Sequence, residues 1–378
     1  MPKSLIIHAG FLKTGTTSLQ ASLHEHADQL LKEHVFYPRV INPHLAVEAD
    51  HHFAAIALIG KTEGWQDEDR SLPAEPIESW LTLARAYRKF DGISIFSSEM
   101  LSELTVENIQ RVKSDTDNIP TKVIFSIRPL AKMLPSAYQQ KIKFGLIKVS
   151  YEQWLEHIFT DGTAASDQFW LRHNHPEVLK RWAAVYGDEN IHLVVVDERQ
   201  PEFLFRAFEQ IAGIKTQLSI PERLGKNRSL SIEEMSLMRA INRRFRKAHD
   251  WEDYRIFIRE SAAKGLTDRS ELREGHHKLK TPGWAVKKAS ELSASFVSEI
   301  ESLKIQTHGD LQRLKSADIE TGENSFVETI DVKTVAAMFS EYERSKLVRN
   351  VPTELLVSEL KQRIKNRLNR SLRFMRRR

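Results

Sequence analysis

The sequence predicts an α/β protein in which helices flank a central parallel sheet. Four short apolar runs indicate buried strands, and a helix-like pattern follows each of them after a turn. The runs are Leu5–Ile7, Gly92–Phe96, Lys122–Ile127 and Ile191–Val196. Strands that alternate with helices are typical of a parallel sheet, because the chain must cross one face before the next parallel strand can pair.

The composition is that of an ordinary globular protein. The 378 residues are enough to bury a full core, and 41% are hydrophobic while 28% are charged. The absence of cysteine from the sequence excludes disulfides, thiolate metal sites and thiol nucleophiles. The N-terminus enters a strand without a signal-peptide pattern, and no apolar run reaches the length of a membrane span, so we expect a cytoplasmic enzyme. The net charge of +5 suits a polyanionic ligand without requiring nucleic acid.

The first strand leads into a loop bounded by Gly10 and Gly15, and a helix is predicted from Ser18 to Leu31. The N–H groups of such a loop and the positive end of the helix dipole converge on an anion. Glycine lets the backbone approach the ligand closely, and Lys13 adds a cation. The stretch therefore predicts a phosphate-binding cradle.

The spacing distinguishes this cradle from that of nucleoside-triphosphatases. In the pattern G-x-x-x-x-G-K-[ST] the lysine follows the second glycine, whereas Thr16 has that position here and the lysine, Lys13, lies inside the loop. The run Leu12-Lys13-Thr14-Gly15-Thr16-Thr17 resembles the 5′-phosphosulfate loop of sulfotransferases that use 3′-phosphoadenosine 5′-phosphosulfate (PAPS). The resemblance implies a P-loop-like three-layer fold. It assigns PAPS binding to residues of this loop and the helix start, namely Lys13, Thr14, Gly15, Thr16, Thr17 and Ser18.

A second motif lies at the end of the third predicted strand. Arg128 follows Lys122–Ile127, and Ser136 comes eight residues later, directly after Pro135. Because proline is favoured at the first helical position, a helix is predicted from Ser136 to Phe144 with Ser136 in its first turn. An arginine fork beside a helix start is a good phosphate site. In the sulfotransferases that this chain resembles, the corresponding arginine and serine hold the 3′-phosphate of PAPS.

Three residues are candidates for the base that accepts the proton of an acceptor hydroxyl. Glu99 closely follows Gly92–Phe96, and a carboxylate at the carboxyl end of a parallel strand points into the ligand crevice. A further short strand is predicted at Val35–Pro38, and His51 and His52 lie in the segment after it. Several sulfotransferase branches draw their base from the segment after this second strand. Each has another interpretation: Glu99 as an acid at a helix N-terminus, and the histidines as solvent-facing or capping residues.

A basic, hydroxyl-rich loop, Lys226–Ser231, precedes a later helix. Sulfotransferases close over the 3′-phosphate with a late basic loop, so the resemblance assigns this role to Lys226 and Arg228, although the family's Arg-Lys-Gly form is missing. The other interpretation is a helix cap in which Ser231 and Glu234 form a capping box. The two interpretations are compatible.

The strand-like pattern stops near Trp251. The chain is therefore predicted to divide into a PAPS-binding α/β domain, 1–250, and a mainly helical C-terminal extension, 251–378. The extension ends in an amphipathic tail, Lys361–Arg378, that has nine lysines or arginines and no acid. Such a tail is able to contact an anionic membrane surface or to pack on its own protein. The expected partners are PAPS, an acceptor hydroxyl and, through the tail, a membrane surface, with no nucleic acid.

The resemblance implies an enzyme that moves a sulfuryl group from PAPS to an acceptor hydroxyl, for example on a sugar, in line and without a metal. Lys13 would stabilise the charge that grows on the leaving oxygen, and Glu99, His51 or His52 would take the acceptor's proton. A P-loop kinase or nucleoside-triphosphatase is the first alternative; the displaced lysine opposes it, as does Arg128 in place of a metal-binding aspartate. A non-catalytic protein that binds anions or membranes is the second.

Overall fold

The computed structural model describes residues 3–38, 40–42, 47–49, 51–60, 74–160, 164–221, 228–248, 254–267, 275–315, 318–325, 327, 329–346, 353, 357, 360 and 361. Eight strands occur in this part of the chain: β1 (Ser4–His8), β2 (Val35–Phe36), β3 (Val40–Asn42), β4 (Val47–Ala49), β5 (Ile93–Ser97), β6 (Thr121–Ile127), β7 (Ile191–Val195) and β8 (Gln306–His308). Six of them form one sheet in the order β2-β5-β1-β6-β7-β8. Every pairing in that sheet is parallel, while β3 and β4 form a separate antiparallel pair.

The strand β1 lies at the centre of the sheet, where the strand order reverses. Its last residue, His8, is paired with Ser97 of β5 on one side and with Ile124 of β6 on the other. The chain therefore leaves β1, β5 and β6 at the same edge of the sheet. In open α/β sheets this switch point is where ligands bind.

The helices follow the strands in the alternation that the sequence predicts. They are α1 (Thr16–Glu25), α2 (Ala27–Lys32), α3 (His52–Ile59), α4 (Ala74–Lys89), α5 (Val106–Asp115), α6 (Leu130–Lys143), α7 (Tyr151–Ile158), α8 (Ala164–His173), α9 (His175–Tyr186), α10 (Phe203–Ala212), α11 (Ile232–Ala248), α12 (Ala263–Thr267), α13 (Gly283–Ser302) and α14 (Val332–Lys346). A 3₁₀ turn (Glu99–Glu103) follows β5, and a π-helical turn (Arg255–Ala262) precedes α12. The predicted single helix from Ser18 to Leu31 is two helices, which His26 separates.

Both faces of the sheet are covered, because alternate side chains of each strand point to opposite faces. Leu5 and Ile7 of β1 are fully buried in the cluster that also contains Trp182 of α9. Ile6 belongs to the cluster on the other face, together with Leu19 of α1 and apolar side chains of α10. The predicted three-layer α/β fold with a central parallel sheet is confirmed.

The sixth strand comes from a region in which the sequence gives no strand signal. The strand β8 has only three residues, its side chains are exposed or half-buried, and it pairs with β7 through His308 and Val194. In addition, Val297 and Ile300 of α13 are buried in the same core as β1. The prediction that the sheet pattern ends near residue 251 is therefore wrong for this strand, whereas the domain boundary at 250 stays a prediction.

Two predicted features lie outside the described residues: Lys226, and the tail Lys361–Arg378 apart from its first residue. Among the residues that are described, no helix combines the length and the apolar character needed to cross a membrane.

Candidate anion-binding site

The loop after β1 delivers its backbone to the start of α1. This helix begins at Thr16, two residues before the predicted start, with Gly15 as its N-cap at a φ of 92°. Leu19 N–H donates to the Gly15 carbonyl at 3.1 Å, which leaves the N–H groups of residues 16–18 without helical acceptors. No side chain caps this end, and the first turn contains no acid. The helix start therefore presents free donors and positive potential, as the sequence predicts.

Thr14 anchors the loop and does not line the cleft described below. Its side chain is buried, and its hydroxyl donates to the Phe11 carbonyl at 2.6 Å and lies 2.6 Å from Ser126 Oγ. The backbone N–H of Ser126 in turn donates to the Gly10 carbonyl at 2.6 Å. These bonds join the loop to β6. They give the Thr14 side chain a structural role, and PAPS binding by Thr14 stays a prediction.

A cleft of about 290 Å³ opens at the carboxyl edge of the sheet, between the loop, α1, β5 and α6. Most of the candidate ligand residues that the sequence predicts line it, although they come from four separate segments of the chain. Ser18 is not among its lining residues. The complete lining is Leu12, Lys13, Gly15, Thr16, Thr17, Glu99, Arg128, Ser136 and Gln140.

The cleft holds two cations and one carboxylate. Lys13 has a φ of 65°, and its ammonium group makes no hydrogen bond or ion pair with any of the residues that the structure describes. Burial lowers the pKa of Lys13; Glu99 opposes that lowering, and Arg128 adds to it. Since Lys13 and Arg128 repel each other while lying near one another, an anion between them would relieve a cost that the unliganded protein bears.

Arg128 directly follows β6 and is held at the rim of the cleft. Its Nη2 donates to the Lys132 carbonyl at 3.1 Å, while its Nε is buried without a hydrogen-bond partner among the described residues. Burial lowers the pKa of this guanidinium, and Glu198 opposes the effect. A guanidinium stays charged in proteins, so this unpaired Nε is a donor in need of an acceptor.

Ser136 lines the cleft beside Arg128, although the predicted helix start is wrong. The helix α6 begins at Leu130, and Pro135 lies inside it. Buried side chains at Leu130, Met133, Leu134 and Ala137 follow helical spacing on both sides of the proline. Their burial outweighs the single backbone bond that proline removes, a cost of about 3 kcal/mol. Ser136 is therefore presented by a helix face and not by free N–H groups of a first turn.

The structure separates the three base candidates. Glu99 lines the cleft and accepts a hydrogen bond from Gln20 Nε2 at 3.1 Å. His51 is fully buried: its Nδ1 accepts from the Ser97 N–H at 3.0 Å, and its Nε2 lies 2.8 Å from the Pro38 carbonyl. Because both ring nitrogens are engaged with backbone, His51 has no nitrogen left for a substrate proton. His52 begins α3 and is not among the residues that line the cleft.

Arg228 is committed to a helix cap. Its Nη atoms donate to both carboxylate oxygens of Glu234 at 2.7 and 2.6 Å, and Glu234 is fully buried. Glu234 also accepts from the Ser231 N–H, and its own N–H donates to Ser231 Oγ, which confirms the capping box. Arg228 does not line the cleft, so the structure does not support its assignment to the 3′-phosphate.

Two residues of this site escape sequence reasoning. Gln140 lines the cleft one helical turn beyond Ser136, and the i to i+4 spacing was the available signal. His173 of α8 lines a narrow second cavity of about 30 Å³, which shares Leu12, Lys13 and Gln140 with the cleft. Its Nδ1 is buried without a hydrogen-bond partner among the described residues, and burial holds its pKa well below the usual range. Room for one or two water-sized groups thus lies between Lys13 and a neutral imidazole.

The sequence matches no family model, and no curated protein shows significant similarity to it. The chemistry of the cleft is that of a polyanion site with a proton acceptor at one wall. A helix start, Lys13 and Arg128 attract negative charge, and the hydroxyl groups of Thr16, Thr17 and Ser136 add donors. Glu99 is the carboxylate able to take up a proton there.

Proposed function

We propose that the protein is a sulfotransferase that moves a sulfuryl group from PAPS to an acceptor hydroxyl. The observation that supports this most directly is the position of Lys13. It lies inside the loop, two residues before Gly15, and its ammonium group faces the same cleft as Arg128 without a carboxylate partner among the described residues. A lysine there meets the first phosphate of a nucleotide and does not reach out along a triphosphate chain.

The donor needs two separate anion sites, one for its phosphosulfate and one for its 3′-phosphate. The α1 start with Thr16 and Thr17 suits the first, because its free N–H groups and hydroxyls surround one end of the cleft. Arg128 and Ser136 suit the second, at the other wall. One nucleotide that carries charge at both ends would engage both groups of donors.

In this proposal Lys13 and Glu99 divide the chemistry. Bound PAPS supplies the sulfuryl group and a good leaving group. As the acceptor oxygen forms its bond to sulfur, the bond from sulfur to the bridging oxygen breaks, and its electron pair stays on the 5′-phosphate. Lys13 donates a hydrogen bond to that oxygen as its charge grows. Glu99 accepts the proton that the acceptor hydroxyl loses.

A triphosphate enzyme is less well supported. Thr16 has the place of the P-loop lysine, and Arg128, not an acid, follows β6. Asp197, which comes after β7, is bound to Arg313 and so is not a free metal ligand.

Thermal unfolding with nucleotides tests the proposal. PAPS and adenosine 3′,5′-bisphosphate should each raise Tm, whereas Mg-ATP should not. At a hundredfold excess over Kd, either ligand should add about 2.7 kcal/mol to the free energy of unfolding. Radiolabelled PAPS with a panel of hydroxyl acceptors should then give labelled product. Lys13→Ala should abolish transfer, and Lys32→Ala, which removes an exposed lysine from α2, should not. Stabilisation by Mg-ATP alone would favour the triphosphatase, and binding of adenosine 3′,5′-bisphosphate without transfer to any acceptor would favour the non-catalytic alternative.

A further inference from the structure

A larger cleft of about 510 Å³ meets the first one at Arg128. It lies between the ends of β6 and β7, and its cationic lining consists of Arg128, Lys132, Arg199 and Arg313. Three acids also line it, so the cleft is not simply a positive surface. The ability of this cleft to bind an anion depends on which of its cations are held in buried ion pairs with these acids.

Asp197 is permanently paired. Arg313 donates to both of its oxygens, with Nη2 to Oδ1 at 2.7 Å, and the Arg199 N–H donates to Oδ1 at 2.9 Å. The Asp197 side chain is only 8% exposed. This carboxylate and Arg313 therefore belong to the wall of the cleft.

Glu198 is held quite differently, by Lys132 and by Arg128, and Arg128 also lines the first cleft. Its Oε2 lies 2.6 Å from Lys132 Nζ, and its Oε1 lies 3.7 Å from Arg128 Nη1. The Glu198 side chain is 54% exposed, whereas those of Arg128 and Lys132 are 19% and 22% exposed. One exposed carboxylate thus bridges two largely buried cations.

The place where this bridge forms already favours anions. Arg128 and Lys132 flank the N-terminus of α6, which Pro129 caps without a side-chain hydrogen bond and which has no acid in its first turn. The bond from Arg128 Nη2 to the Lys132 carbonyl keeps the two cations together, and Arg128 Nε has no acceptor among the described residues. The carboxylate accepts a hydrogen bond from Lys132 Nζ and pairs with Arg128 only as a charge at 3.7 Å, which leaves Arg128 Nε without an acceptor among the described residues.

We propose that Arg128 and Lys132 together form a site for a phosphate monoester, and that the Glu198 carboxylate occupies this site until the ligand displaces it. The inference rests on the proposed function, in which the monoester is the 3′-phosphate of the donor nucleotide. A phosphate presents oxygens to both cations as the carboxylate does, and it has a third oxygen for Arg128 Nε. Exposed ion pairs contribute little to stability, so Glu198 is displaced at small cost.

Calorimetric titration with adenosine 3′,5′-bisphosphate and with AMP, at one ionic strength, tests this. Glu198→Gln should bind the bisphosphate about two- to fivefold more tightly than wild type, because a competing charge is removed. Lys132→Gln should bind it about tenfold more weakly. Neither change should alter the affinity for AMP, which has no 3′-phosphate. Glu202→Gln is the matched control, since Glu202 is 55% exposed, lies 3.6 Å from Arg206 Nη2 and does not line the cleft.

Unliganded melting temperatures of the variants equal to that of wild type would show that each is folded. The inference is overturned if Glu198→Gln gains no more affinity than Glu202→Gln, or if AMP gains equally. A wild-type protein that binds neither nucleotide refutes the proposed function, and the inference with it. One that binds the bisphosphate without any effect of Glu198 or Lys132 refutes the inference alone.

Discussion

The hydroxyl oxygens of Thr14 and Ser126 lie 2.6 Å apart. Thr14 is the neighbour of Lys13 in the loop. Ser126 lies on β6, two residues before Arg128, which follows that strand. The hydrogen bond between them therefore fixes the spacing of the two cations of the cleft without involving either cation.

Replacement of Thr14 by valine should destabilise the protein by about 1–3 kcal/mol, because the buried Phe11 carbonyl loses the donor that Thr14 provides. Valine keeps the shape of threonine, so the loss reports the hydroxyl. Denaturant unfolding measures it, and Thr14→Ser should retain most of the stability. If Thr14→Val is as stable as wild type, the anchor is not needed.

Lys13→Met should make the protein more stable and at the same time inactive. Burial lowers the pKa of Lys13, which means that the folded protein penalises its charge, so removal of the charge should add about 0.5–2 kcal/mol. Transfer from PAPS should be lost, since in the proposed reaction the ammonium group acts on the leaving oxygen. Chemical denaturation and single-turnover kinetics measure the two effects. Retained turnover in a stabilised variant would remove Lys13 from the chemistry.

Substitution should identify the base. Glu99→Gln keeps the hydrogen bond to Gln20 but cannot take a proton, and we expect a loss of about 10²–10⁴-fold in single-turnover rate. His51→Asn should lower stability and leave the rate of the folded protein unchanged, because the imidazole bonds to backbone at both nitrogens.

A pH profile would not reveal His51 by the usual titration of a histidine. Burial lowers the pKa of His51 to about 4, well below the ordinary imidazole value of about 6.5. His173→Asn belongs in the same series, since His173 lines the small cavity beside Lys13. If His173→Asn loses the rate and Glu99→Gln keeps it, the proton goes to the imidazole.

Stability should fall as the pH drops from about 6.5 towards 4. Burial lowers the pKa of His8 and His51 to about 4 and that of His175 to about 3. The unfolded chain binds protons at these histidines from about 6.5 downwards while the folded protein does not, so unfolding is favoured in that window and the contribution is constant above it. Denaturant midpoints across the window measure the slope, and His175→Gln should reduce it by about one proton. An unchanged slope would contradict this assignment.

Arg228→Ala should cost about 3–5 kcal/mol, because it leaves the fully buried Glu234 carboxylate without its partner. Arg228→Met with Glu234→Gln should recover part of the loss, since glutamine is uncharged and preserves the capping box. Unfolding measurements on both variants test this. If Arg228→Ala loses much of its nucleotide affinity but none of its stability, Arg228 contacts the ligand and this prediction is wrong.

The parts of the site that the sequence predicts are those in which chemistry and local structure coincide. A strand, a glycine-bounded loop and a helix are consecutive, so Lys13 and Thr16 could be placed before any tertiary contact was known. Arg128 and Glu99 follow buried strands, and parallel strands bring their carboxyl ends together. The sequence therefore predicts that these residues lie close together, because each follows a strand of the same parallel sheet.

The remaining features depend on neighbours that are distant in sequence. The engagement of His51 is decided by Ser97 and Pro38, and that of Arg228 by the burial of Glu234. Pro135 lies inside α6 and does not mark the start of a helix, because buried side chains continue at helical spacing on both sides of it. Glu198 meets Lys132 across 66 residues, a contact that no periodicity reveals.

The strand β8 covers the edge of β7 and is synthesised late, so this edge stays open to pairing with other chains until β8 has been made. Every residue that lines the cleft precedes position 141, whereas the neighbour of β7 comes only at Gln306–His308. On the ribosome, ligand-binding groups would be present long before the edge of β7 is covered. A fragment that stops at residue 250 would keep the donors and expose a strand to which another chain could add. The residues that line the candidate anion site and the strand that covers the edge of β7 thus lie in different parts of the chain, and truncation between them would separate the two.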